Sequence, residues 1–118
     1  MKRPAHITTE LMTKNFMELT ADRYPSSDKV LQMIARMGVA GPGASPVQEA
    51  SAKIIILSRF RDAIRQVSPT HIFRNIQHRD DVFNAIIEAL EYLEDELDRL
   101  SAEQEQFLSE PGRGSAAA

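Results

Sequence analysis

Apolar residues recur at helical spacing along most of the chain, in stretches set apart by proline, glycine and serine. Leu11, Met12, Phe16 and Leu19 predict a first helix over about Thr9 to Arg23. Thr8 or Thr9 can cap it. Tyr24-Pro25 stops it, because a residue before proline is pushed out of the α region. A second helix follows Ser26-Ser27-Asp28, with Ser27 as N-cap and Asp28 set against the positive end of the dipole. Its stripe is Val30, Leu31, Ile34 and Met37, and Gly38 ends it as a left-handed residue.

The stretch GVAGPGASP, residues 38–46, contains three of the five glycines and two of the six prolines, and so reads as a mobile internal loop. It is too short to separate two domains. Ser45-Pro46-Val47-Gln48 then forms a capping box with proline in the first turn. The stripe Val47, Ala50, Ile54, Leu57, Phe60, Ile64 and Val67 continues from it, and Ile55 and Ile56 widen the apolar face. This third helix is therefore expected to be the central one. Ser68-Pro69 breaks it and can start a short turn through Thr70, His71, Ile72, Phe73 and Arg74. Asn75 to His78 reads equally as a connection or as a continuation. A last helix is predicted from near His78–Asp80 to about Leu108. Its seam is Phe83, Ile86, Leu90, Leu93, Leu97 and Leu100, with Phe107 beyond, in alternating steps of three and four. The expected architecture is all-α: a bundle of four to five helices with a long C-terminal helix, one domain over residues 1–110, and a disordered tail at 111–118.

Composition narrows the function. In 118 residues, 42 % are hydrophobic and 26 % charged, ordinary for a globular domain. The net charge of −3 provides no general attraction to nucleic acid. There is no cysteine, which excludes disulfides and thiolate chemistry. MKRPAHITTE has no apolar core of a signal peptide, and Ile54 to Leu57 is far short of the roughly 20 apolar residues of a membrane span.

Charge is divided along the chain. Lys53, Arg59, Arg61, Arg65, Arg74 and Arg79 face only Asp62 between residues 53 and 79, a balance of +5. Residues 80–110 hold eleven carboxylates and one arginine, a balance of −10. The carboxylates read as the solvated face of the last helix, or as a face that steers a basic partner. Glu88, Glu91, Asp95 and Asp98 have no cations spaced to neutralise them within the helix, which favours the second reading.

Catalytic and metal-binding arrangements are missing from the pattern. His6, His71 and His78 form no i,i+4 pair and read as surface or capping residues. Asp80-Asp81 and Glu94-Asp95-Glu96 lie on a helix face, without the contrasting environments that acid–base work needs. GVAGPG lacks the lysine and hydroxyl ending of a phosphate loop. No enzyme activity and no cofactor are expected. The apolar stripes instead exceed what one small core needs. Leu11, Met12, Phe16, Ile55, Ile56, Ile72, Phe73, Leu97, Leu100 and Phe107 are in surplus, so some are expected to reach the surface as a docking groove.

The order of these elements resembles the TyeA family, the helical C-terminal module of type III secretion gatekeepers. In some systems that module is a separate protein; in SepL, InvE and HrpJ-like proteins it is fused to the gatekeeper body. The resemblance rests on TTELMTKNFMEL, DKVLQMIARMGV and above all FRDAIRQVSPTHIFRNIQHRDDVFNAIIEALEYLEDEL. Two features differ: the loop GVAGPGASP is longer than the family's link, and Leu11 stands where an aromatic is expected. The resemblance implies a regulator of the timing or hierarchy of effector export. The implied partners are a YopN-like gatekeeper, or the rest of a fused gatekeeper chain, and the type III export apparatus, with no nucleic acid and no membrane insertion. The implied location is the bacterial cytoplasm, the periphery of the inner-membrane export apparatus, or outside the cell after secretion. Partner contact is expected at Leu11, Met12, Phe16 and Leu19, joined by Arg61, Arg65 and Phe73. Two other readings remain at this point: a helical secretion chaperone or adaptor, and a small DNA-binding regulator built on the basic central stretch.

Overall fold

The computed structural model describes residues 8–67 and 71–109, with side chains described up to Gln106. The Ser68-Pro69 break, His6, the Phe107 side chain and the expected tail at 111–118 lie outside the described residues. Four helices follow in order: α1 (Thr9–Ala21), α2 (Ser27–Met37), α3 (Pro46–Gln66) and α4 (Ile76–Ser109). The described residues contain no strand and no fifth helix, and residues 71–75 form turns instead.

Local chemistry sets the helix ends. Thr8 caps α1, its hydroxyl accepting from the Leu11 N–H at 3.0 Å. The N-cap of α2 is Ser26 rather than Ser27: its hydroxyl accepts from the Lys29 N–H, and Ser27 is already helical. The capping box of α3 is complete in both directions. The Gln48 N–H donates to Ser45 Oγ at 3.1 Å, and the Ser45 N–H donates to Gln48 Oε1 at 2.9 Å. Asn75 starts α4, its side chain accepting from the His78 N–H at 2.8 Å. The helix thus begins before the expected His78–Asp80, because an asparagine supplies the cap.

Gly38 closes α2 with φ 61°, in the left-handed region. A Cβ there would meet nothing within 4 Å, so only the backbone conformation resists a side chain. Gly38→Ala is expected to lower the unfolding free energy by about 1–2 kcal/mol, read by urea denaturation. An unchanged midpoint would show that α2 can end another way.

The core assembles around α4, not around α3 as the sequence pattern suggests. α4 packs most extensively against α3, then against α2, and more briefly against α1. The link from Val67 to Asn75 is short, so α3 and α4 form an antiparallel pair. Buried apolar positions on α4 are Val82, Ala85, Ile86, Ala89, Leu90 and Leu93, a broader face than the heptad seam. They meet Ile56, Leu57, Phe60 and Ile64 of α3 and Val30, Met33, Ile34 and Met37 of α2 in one cluster. Val39 is 1 % exposed, which pins the start of the glycine-rich loop to the core. Of the residues expected in surplus, Ile56 and Phe73 are buried core members, whereas Leu11, Met12, Phe16, Ile55, Ile72, Leu97 and Leu100 are half-buried.

Candidate docking groove between α1 and α3

The first helix offers two kinds of apolar residue. Leu19 points into the core and is 5 % exposed. Leu11, Met12 and Phe16 pack against the rim of that core and remain half-exposed. The Phe16 and Phe60 rings lie 5.5 Å apart, tilted by 59°, and this pair joins α1 to α3. Beside it opens a shallow cavity of about 280 Å³ lined by Thr9, Met12, Thr13, Phe16, Arg59, Phe60 and Ala63. Its floor is carbon, its edges carry two hydroxyls and a guanidinium, and none of its lining residues is a carboxylate. That composition suits an apolar side chain or the apolar stripe of a helix, with polar contacts at the rim.

The other expected contact residues lie elsewhere. Arg61 forms an ion pair with the exposed Asp62 at 3.1 Å, and such a surface pair adds little stability. The Arg65 guanidinium stands 5.5 Å from the centre of the Phe83 ring on α4. Phe73 is 5 % exposed and belongs to the core. The structure therefore brings Met12 and Phe16 together in one open groove and places Leu11 on the same helix. It sets Arg61 and Arg65 outside that groove and encloses Leu19 and Phe73 within the bundle.

Sequence reasoning missed a polar junction at the opposite end of α1. His78, expected at the surface or as a cap, is 6 % exposed. Its Nδ1 accepts from the Arg74 N–H at 3.3 Å. Its Nε2 must then carry the hydrogen, donating to the Asp22 carbonyl oxygen at 2.7 Å. The Phe73 ring meets the imidazole edge-on at 5.8 Å. The Asp22 carboxylate accepts from the Tyr24 N–H at 2.9 Å and pairs with Lys29 at 3.3 Å. One residue thus ties the end of α1 to the starts of α2 and α4. Both ring nitrogens of His78 are bonded to backbone groups of the protein, which makes the junction a structural joint. Among the described residues, no group of three or more His, Asp or Glu side chains is placed to hold a metal ion. No described helix is long and apolar enough to cross a membrane.

Comparison with known families identifies the bundle. The family described as T3SS, Low calcium response E, third helical domain, matches residues 2–91. The chain belongs to this family. The match spans α1, α2, α3 and the first half of α4, so it includes both the groove and the His78 junction. It agrees with the resemblance to secretion gatekeepers carried by the helix pattern. Comparisons with curated proteins and with solved structures returned no match. A family of type III secretion domains is a bacterial one, and this chain is a gatekeeper-related helical domain.

Proposed function

We propose that this domain binds proteins of the type III secretion machinery and so regulates when late substrates are exported. The observation that carries the reading is the open Met12–Phe16 groove in a chain of gatekeeper family. The resemblance implies partner contact on α1, and α1 is the helix that leaves carbon surface uncovered between Phe16 and Ala63. The binding it supports is helix-in-groove: an apolar stripe from the gatekeeper body covers Met12 and Phe16, with Thr9, Thr13 and Arg59 at its margin. Leu19 and Phe73 are buried in the core and stay out of that contact. No bond is made or broken in this role; the output is a binding equilibrium.

The test replaces both exposed groove residues in the source bacterium, as Met12→Asp with Phe16→Asp. Both side chains lie at the rim of the core and not within it, and circular dichroism checks that the fold persists. Burying two carboxylates against a partner's apolar stripe is expected to weaken binding by about 100-fold or more. Late substrates should then appear in the medium before the inducing signal. Unchanged export timing from a folded double variant would overturn the reading.

A further inference from the structure

The matched family pattern ends at residue 91, but α4 continues to Ser109. The helix has 34 residues against the 21 of its antiparallel partner α3. Leu93 is the last α4 residue in the core, at 2 % exposure. Beyond it the same seam continues through Leu97 and Leu100, which are half-exposed and do not belong to the core cluster. Residues 101–106 are all exposed. A core-forming seam therefore extends out of the bundle on a bare helix.

The flanks of that seam share one sign. In the heptad frame set by Leu90, Leu93, Leu97 and Leu100, the flanking e and g positions beyond the core are Glu94, Glu96, Ser101 and Glu103. Between residues 88 and 106 there are eight carboxylates and one cation, Arg99. Arg99 occupies an outer position and pairs with Glu103 at 3.1 Å. Glu88, Glu91, Glu94, Asp95, Glu96 and Asp98 make no ion pair among the described residues. The basic face of α3 does not supply the missing charge, since Arg61 pairs with Asp62 and Arg65 covers Phe83.

We infer that the projecting half of α4 is a second docking surface, whose occupant is an amphipathic helix with an apolar heptad stripe flanked by lysine or arginine. A second copy of this chain is a poor fit. Pairing two such helices would bring together two segments that each carry eight carboxylates and one cation between residues 88 and 106, with no cation at a flanking position. A basic-flanked helix instead covers Leu97 and Leu100 and places its charges beside the unpaired carboxylates. This surface is separate from the α1–α3 groove and does not depend on it.

The experiment titrates the whole chain with synthetic peptides of about three heptads, leucine at a and d and lysine at e and g. Two controls replace the lysines by glutamate, or keep the lysines and scramble the leucines. Only the ordered lysine peptide is expected to bind tightly, one per chain. The controls and the double variant Leu97→Ser with Leu100→Ser should each bind at least roughly tenfold more weakly, and salt should weaken the ordered peptide strongly. The Met12→Asp, Phe16→Asp variant should bind the peptide like the wild type, which keeps failure here distinct from failure of the groove. Equal binding by the scrambled peptide would reduce the surface to charge adsorption and overturn the proposal. So would full binding by the serine variant, or a dimer in sedimentation that the serine substitutions dissolve.

Discussion

Phe60→Ala is expected to lower the unfolding free energy by about 3–5 kcal/mol, the usual cost of deleting a buried aromatic ring. Phe60 is 3 % exposed, so its removal opens a cavity instead of a dent in the surface. The ring also meets Phe16 at 5.5 Å, and that contact between α1 and α3 is lost with it. Domains of this size have about 5–15 kcal/mol of stability to lose, so the variant gives up a large share of it. Urea denaturation gives the number. Phe60→Leu separates the two roles, because it refills most of the volume without restoring the aromatic pair, and should lose only about a third as much. If Phe60→Ala loses less than about 1 kcal/mol, α1 does not rest on this ring in the way described.

His78→Ala should cost about 2–4 kcal/mol, more than a typical hydrogen-bonding surface residue. The substitution removes the ring against Phe73 and leaves the Asp22 carbonyl and the Arg74 N–H without their partner. Glutamine distinguishes the two bonds. Its amide N–H₂ can reach the Asp22 carbonyl from roughly the Nε2 position, but nothing replaces Nδ1 as acceptor. His78→Gln should therefore recover about half of the loss, and hydrogen exchange should accelerate at the Arg74 amide in both variants. Equal stability of the alanine variant and the wild type would mean that water replaces the imidazole without penalty.

Much of this architecture is legible in the sequence because its signals are local. Thr8, Ser45-Pro46 with Gln48, Gly38 and the apolar stripes mark helix ends and faces within one or two turns of themselves. What escaped depends on which helix meets which. Ala85 and Ala89 are buried because α4 is the hub and small residues let neighbours approach, yet alanine contributes little to a hydrophobic pattern. Val39 sits in a loop whose glycines hide its role. His78 finds its acceptor 56 residues away, and no periodicity reports such a distance. The groove is the same kind of case. Met12 and Phe16 were candidates by resemblance, but the cavity exists only because α1 crosses α3 near Phe60 and Ala63. Phe73 reads like any exposed aromatic in a turn until the fold closes over it.

The hub position of α4 also orders events in time. The element that α1, α2 and α3 all pack against is made after all three, and its core residues run from Val82 to Leu93. On the ribosome, α1, α2 and α3 emerge before the helix that buries most of their apolar faces. The Asp22 carbonyl likewise waits for His78, so in a nascent chain that lacks the last helix α1 keeps only its contacts with α2 and α3. Assembly is then a late, nearly all-or-none step, and chains stopped short of Leu93 present open carbon surface to chaperones and proteases.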